Sequence, residues 1–210
     1  MNTSGLLPSL AKHALLVSCL LGALLALGSC SSDLFVNGMT NQIGYSQVPG
    51  SQPSAVRIPS LGMNAPIIPV GETSDGAMEA PGAGHPASDP IWATTFWWKQ
   101  GPAPGQPGNA VLAGHVDRSD GSHAVFWNLS RIHAGDHIII TNQSGQTLTF
   151  QVTDVEAFAS ANGSPGAQAL QRVFGPASTA NLNLITCYGT WIGTGYNKRL
   201  VAFSTLIATT

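Results

Sequence analysis

The sequence is poor in charged side chains. Asp, Glu, Lys and Arg make up 9% of its 210 residues, whereas soluble domains carry about 25%. Its 8 Lys and Arg residues form no dense cluster, and the formal net charge is -2. Binding to nucleic acid or to anionic lipid headgroups requires a dense basic surface. The sequence therefore argues against a nucleic-acid partner and against polybasic attachment to a membrane.

An apolar run near the N-terminus, at residues 14–28, is too short to span a bilayer. It holds about 15 residues where about 20 are needed, and Lys12 precedes it, as in a signal-peptide core. It ends in LGSC at residues 27–30, which resembles a bacterial lipobox, in which the cysteine takes up a diacylglycerol. We predict a lipoprotein-type signal peptide at residues 1–30, lipidated at Cys30, with an uncleaved signal anchor as the alternative. Either reading places the body of the protein on the extracytoplasmic face of the membrane.

Cysteine is also scarce. The chain has 3 cysteines: Cys19 inside the apolar run, Cys30 at the predicted lipidation site, and Cys187. The exported part therefore carries one thiol that has no intramolecular partner. In an oxidising compartment such a thiol is a liability unless it is buried or used in chemistry. Cys187 is thus either a buried structural residue or a functional one.

The remaining sequence divides into a tether and one folded domain. Residues 31–53 are polar and rich in Gly, Ser and Gln, which is typical of a flexible tether. Residues 54–210 contain about eight short strand-like runs separated by turns, in a chain with 24 Gly and 14 Pro. Residues 164–175 are the clearest candidate for a short helix. The pattern predicts a mainly β fold, a closed barrel or sandwich of about eight strands with one or two short helices.

Two of these runs predict a hairpin. Residues 55–58 and 65–70 are strand-like and flank a turn at residues 60–64. The second run contains Pro66 and Pro69, which cannot donate to a neighbouring strand. We therefore expect this strand at an edge of the sheet.

Three local patterns can carry chemistry. Cys187 directly follows a predicted apolar strand at residues 182–186 and precedes a predicted loop that contains glycine. His115 ends another apolar run, at residues 110–115, and Arg199 enters the last strand, twelve residues beyond the cysteine. Strand ends on a rigid sheet hold catalytic side chains in place. The patterns therefore make Cys187, His115 and Arg199 candidates for catalytic side chains.

These patterns resemble those of the sortase family. Its hallmarks are a T-L-x-T-C strand end, an earlier G-H strand end and an Arg on the next strand. Here they stand as Asn183-Leu184-Ile185-Thr186-Cys187, Gly114-His115 and Arg199, in the family's order. The likeness covers residues 54–208 and implies a closed sortase-type β-barrel as the catalytic domain, residues 54–210.

Within the family, the sequence looks most like class F sortases of actinobacteria. The resemblance lies in PGQPGNAVLAGHVD at residues 104–117 and FWNL at residues 126–129. Asn183 replaces the usual first Thr of the cysteine motif. Tyr188-Gly189-Thr190-Trp191 stands where class F members often carry Gly-Gly-x-Phe-Asp. These departures leave the preferred substrate motif open.

The resemblance implies a role for each site residue. Cys187 is the expected nucleophile, His115 the general acid and base, and Arg199 the donor to the developing oxyanion. We expect Thr186 to help position the acyl group. Trp191, shortly after the cysteine, is a candidate for lining the peptide groove.

The resemblance also implies the reaction and its partners. The expected substrate is an LPxTG-like sorting signal of a secreted protein, cleaved between Thr and Gly. The acyl group would pass to an amine of the cell wall or of a pilin. No cofactor and no metal are expected, because no acidic cluster lies between Glu156 and Ala180 to form the calcium site of some class A members.

Other interpretations remain open at this point. The same site with water as acceptor would make the protein a thiol hydrolase, and a site without catalysis would make it a lipoprotein binding module. Asp117 either orients His115 or caps a turn. We expect the other histidines of the folded domain at the surface rather than in a zinc site: His85, His123, His133 and His137.

Overall fold

The computed structural model describes residues 52–161 and 164–210. The predicted signal peptide, Cys30 and most of the predicted tether, up to residue 51, lie outside the described residues. Within the described part of the chain, no helix combines the length and apolar character needed to cross a membrane.

The described residues form nine strands, one α-helix and three short 3-10 turns. The strands are β1 (Pro53–Ile58), β2 (Met63–Val70), β3 (Thr95–Trp98), β4 (Gly108–Ala113), β5 (His137–Asn142), β6 (Thr147–Ala161), β7 (Ser164–Pro165), β8 (Ala180–Trp191) and β9 (Tyr196–Thr209). The helix α1 spans Ala167–Phe174, and the 3-10 turns span Pro59–Leu61, Pro90–Ala93 and Leu129–Arg131.

Eight of the strands close into a barrel. Their order is β5-β1-β2-β3-β4-β8-β9-β6, and β6 pairs again with β5 to complete the ring. The pairs β2–β3 and β4–β8 are parallel, and the other pairs of the ring are antiparallel. The two-residue strand β7 pairs with β6 outside the ring. The prediction of a mainly β, closed barrel of about eight strands with a short helix is confirmed.

The barrel interior holds the hydrophobic core. Strand β1 shows how the sequence builds it, because Val56 and Ile58 are fully buried while Arg57 between them is exposed. Burying a side chain of this size contributes about 1.5–3 kcal/mol. The largest fully buried side chains come from all around the ring and its turns: Trp97, Phe96, Phe126, Phe150, Leu112, Leu129, Ile138, Ile140, Leu182 and Leu184.

The predicted hairpin of β1 and β2 is confirmed, but its second strand is not at an edge. The first half of β2, up to Pro66, pairs with β1. The second half, from Ile67 to Val70, pairs with β3 on the other side. Each half of β2 therefore pairs with a neighbouring strand on one side only. Pro66 and Pro69, which have no amide hydrogen to donate, can for this reason lie inside the sheet.

Helix α1, within the segment where a helix was predicted, packs on the outside of the barrel. Ala169 and Val173 form its buried face. The Asn183 side chain, which stands at the position of the family's Thr, donates to the carbonyl of Val173 at 2.8 Å. On the outer face, Arg172 binds the carboxylates of Asp154 and Glu156 on β6. The helix is therefore tied to both β6 and β8.

Candidate active site

The predicted nucleophile and the predicted oxyanion donor face each other across one hairpin. Cys187 on β8 pairs directly with Arg199 on β9. The strand does not end at the cysteine, as the sequence suggested, but continues to Trp191. Gly189 adopts a φ of 88°, and the register shifts between Tyr188 and Trp191. The glycine therefore marks an irregularity within the hairpin rather than the beginning of a loop.

The parallel pairing of β4 and β8 brings His115 to the same rim. The last paired residues are Ala113 and Ile185, so His115 and Cys187 each lie two residues beyond that pair. Parallel strands end at the same edge of a sheet. The amide of Gly114 also donates to the carbonyl of Ile185 at 3.2 Å.

Thr186 ties these two strand ends together. Its buried hydroxyl donates to the carbonyl of Gly114 at 2.8 Å. Gly114 itself leaves no room for a side chain, because an added Cβ would lie 2.5 Å from Cδ2 of the buried Phe126. The residues before the cysteine and before the histidine therefore fix the two backbones against each other.

The imidazole of His115 is held from three sides. Trp92 and Phe96 pack against it, with ring centroids at 4.8 Å and 5.5 Å. Its Nε2 lies 2.8 Å from the carbonyl oxygen of Pro81. A carbonyl oxygen can only accept, so Nε2 carries the hydrogen and Nδ1 remains for proton exchange.

Cys187, His115 and Arg199 line one groove of about 750 Å³. One wall is formed by residues 72–80, in the segment between β2 and β3. This segment is braced, because Nε1 of Trp98 donates to Glu72 at 3.0 Å and the amide of Gly71 donates to Glu79 at 2.8 Å. The apolar part of the lining comes from several elements: Met78, Trp98, Leu170, Phe174 and Ile185.

Burial and two neighbouring charges of opposite sign shift the pKa of the Cys187 thiol. Burial raises the pKa of Cys187 above its ordinary value, and the carboxylate of Asp117 raises it further. The guanidinium of Arg199 lowers the same pKa, because positive charge stabilises the thiolate. Arg199 in turn donates through Nη1 to the carbonyls of Tyr196 and Lys198, at 3.3 Å and 3.1 Å.

Asp117 binds a partner that the sequence did not suggest. Its carboxylate accepts a hydrogen bond of 2.6 Å from the hydroxyl of Tyr196. Trp191 packs edge-on against the Tyr196 ring, with centroids 5.6 Å apart, and is 59% exposed. Trp191 is not among the described residues that line the groove, and its role in peptide binding stays a prediction.

The other described histidines are exposed, as predicted: His85, His123, His133 and His137. His85 binds Asp89 through Nδ1 at 2.9 Å, and His123 stacks on Trp127 with centroids 3.9 Å apart. Among the described residues, no group of three or more His, Cys, Asp or Glu side chains is placed to hold a metal ion.

Comparisons with known proteins agree with this architecture. The family model described as the sortase domain matches residues 56–207, and no curated protein matches the chain. Sortase C-1 of Actinomyces oris is similar in structure, with a TM-score of 0.54 and 21% identity over 74% of this chain and 73% of that chain. Sortase C1 of Streptococcus agalactiae, in complex with MTSET, has a TM-score of 0.53 and 19% identity over 75% of this chain and 70% of that chain. Sortase A of Listeria monocytogenes has a TM-score of 0.50 and 20% identity over 74% of this chain and 87% of that chain.

At these identities the solved structures support the fold alone, and their class A and class C names leave the resemblance to class F a prediction. The family model is more informative, because it spans most of the chain, from β1 to β9. The chain belongs to the sortase family of cysteine transpeptidases.

Proposed function

We propose that the protein cleaves an LPxTG-like sorting signal between Thr and Gly and transfers the acyl group to an amine. One observation carries the proposal: Cys187 lies directly across the hairpin from Arg199 and shares its groove with His115. A thiol, an imidazole and a fixed guanidinium in one groove are the groups that acyl transfer requires.

The reaction has two balanced halves. The Cys187 thiolate attacks the carbonyl carbon of the Thr–Gly bond, so that a C–S bond forms and the C–N bond breaks. Protonated His115 gives its proton to the departing amine, and the electron pair of the broken bond stays on that nitrogen. An incoming amine then attacks the thioester, its proton passes to His115, and the thiolate leaves.

Arg199 supports both halves from a fixed position. Two backbone carbonyls hold its guanidinium on the hairpin, and arginine keeps its charge throughout the accessible pH range. We assign it the role of stabilising the oxyanion on the scissile carbonyl and of favouring the thiolate. Burial raises the pKa of Cys187 in the free protein, so a positive charge on His115 in the same groove would favour the reactive thiolate.

The lining of the groove suits a largely apolar peptide. Met78, Leu170, Phe174 and Ile185 offer surface to the Leu and Pro of a sorting signal. The acceptor amine would come from the cell wall or from a pilin. With Cys30 lipidated, or with an uncleaved anchor, the enzyme would act on the extracytoplasmic face of the membrane, where secreted substrates emerge.

The test is peptide cleavage by the purified protein, with and without an added amine. A fluorogenic LPxTG peptide should be cleaved between Thr and Gly, and a glycine or diaminopimelate-type amine should appear in the product. Cys187→Ala should abolish both activities. A product that remains the free acid at high amine concentration would identify a thiol hydrolase instead. Absence of cleavage by a folded protein across sorting-motif peptides would refute both.

A further inference from the structure

The hydrogen bond between Asp117 and Tyr196 joins the loop that follows His115 to the hairpin that carries Cys187 and Arg199. It is 2.6 Å long, partly buried, and links residues that are 79 positions apart. Asp117 lies two residues beyond His115, and Tyr196 is the first residue of β9, three residues before Arg199. A hydrogen bond at this place helps to set the distance between the imidazole and the hairpin of β8 and β9.

Both partners are themselves held firmly. Asp117 forms a backbone bridge with His123, which closes the loop that follows β4. Arg118 braces the same loop by donating to the carbonyls of Ala87 and His123, each at 2.9 Å. A shift of Asp117 would therefore be transmitted to the loop as a whole.

Tyr196 makes a second contact, on the side of the reacting groups. Its backbone carbonyl accepts the 3.3 Å hydrogen bond from Nη1 of Arg199. One residue thus binds the loop of His115 through its side chain and the guanidinium of Arg199 through its backbone. Trp191 packs against its ring and limits its movement.

The electrostatics favour a positioning role over an activating one. The hydrogen bond to Asp117 raises the pKa of Tyr196 to about 12, so the hydroxyl remains a donor at every pH of use. The same carboxylate raises the pKa of Cys187, which opposes formation of the thiolate. A contribution of Asp117 to the reaction would therefore come through the position of the reacting groups and not through activation of the thiol.

We propose that Asp117 and Tyr196 are positioning residues, whose hydrogen bond holds His115 in register with Cys187 and Arg199 for acyl transfer. The inference rests on the proposed transpeptidase function. It predicts that kcat depends on the contact itself and much less on the charge of Asp117.

The experiment compares variants that remove the contact with one that removes only the charge. Tyr196→Phe and Asp117→Ala abolish the hydrogen bond, whereas Asp117→Asn keeps an acceptor oxygen and loses the charge. Tyr188→Phe is the matched control, because no described residue bonds to the Tyr188 hydroxyl. The full-length wild-type protein is first shown to transfer an LPxTG peptide to glycine, so that failure of the proposed function is detected separately.

Four results are expected. Tyr196→Phe and Asp117→Ala lower kcat by about ten-fold or more, because loss of the contact misplaces His115 relative to Cys187 and Arg199, with KM within about two-fold. Combining them costs no more than either change alone, because they break the same contact. Asp117→Asn and Tyr188→Phe stay within about three-fold of wild type. Both Asp117 variants nevertheless shift alkylation of Cys187 to lower pH.

Several outcomes would overturn the inference while leaving the proposed function intact. They are full activity of Tyr196→Phe, additive losses in the double variant, and a loss in Asp117→Asn as large as in Asp117→Ala. All assays are run below the thermal midpoint of each variant, so that a loss of activity reports on the folded protein.

Discussion

Gly82→Ala tests how closely the wall of the groove controls His115. Gly82 is buried beside the imidazole, and a Cβ added there would lie 2.7 Å from Nε2 of His115. The same atom would lie 3.1 Å from two ring carbons of Trp92, which is itself buried. Gly82 does not adopt a left-handed φ, so the backbone itself tolerates alanine. The substitution therefore acts through its contacts with the imidazole and with Trp92, which itself packs against the imidazole.

The size of the displacement follows from these distances. Ordinary contacts of a Cβ begin at 3.4 Å, so the imidazole or its loop must move by about 0.7 Å (3.4 minus 2.7). Movement of either one strains the 2.8 Å hydrogen bond between His115 and Pro81. A misplacement of about 1 Å can cost about 100-fold in rate. We expect kcat/KM for an LPxTG peptide to fall by about 10- to 100-fold.

The assay is steady-state transfer of the peptide to glycine, with the thermal midpoint measured alongside. Gly166→Ala is the matched control, because Gly166 has a φ of -62° and no atom within 4 Å of the added Cβ. This control should retain activity close to wild type. Full activity of Gly82→Ala in a folded protein would refute the claim that the Pro81–Gly82 segment holds the imidazole.

Three further predictions follow from the same geometry. Arg199→Ala should lower kcat/KM by about 100- to 1,000-fold, whereas Lys198→Ala should be near wild type; equal losses would contradict the role given to Arg199. Iodoacetamide should modify Cys187 with a pH midpoint above that of an ordinary thiol, because burial raises its pKa, and Arg199→Ala should move the midpoint higher still. A midpoint unchanged by that substitution would contradict the account. Thr186→Val leaves the Gly114 carbonyl without its donor and should lower the free energy of unfolding by about 1–3 kcal/mol in urea titration; unaltered stability would argue against this tie.

The candidate site residues, the helix and the first hairpin could be predicted from the sequence. Cys187, His115 and Arg199 each stand next to an apolar strand signal, and their common location was implied by the resemblance to the sortase family. The structure brings all three to one groove. The helix and the first hairpin were likewise predictable, because both depend on short-range periodicity and turns.

Contacts between segments that are far apart in the sequence could not be predicted from local pattern. Pro81 is 34 residues from His115, and Asp117 is 79 residues from Tyr196. Each pair meets because the sheet places β2, β3 and β4, and β4, β8 and β9, side by side. Neither pair has a spacing that a local motif would indicate. The prediction that the strand ends at Cys187 was wrong for a related reason. A glycine with positive φ, such as Gly189, fits a loop and an irregular strand pair equally well.

The most direct test is mass spectrometry of the enzyme caught with its substrate. Wild-type protein mixed with an LPxTG peptide, quenched in acid and digested, should carry the acyl fragment ending in Thr on the peptide that contains Cys187. Added glycine should remove this adduct and yield the transferred product. Cleavage without an adduct on Cys187, or continued cleavage by Cys187→Ala, would contradict the account.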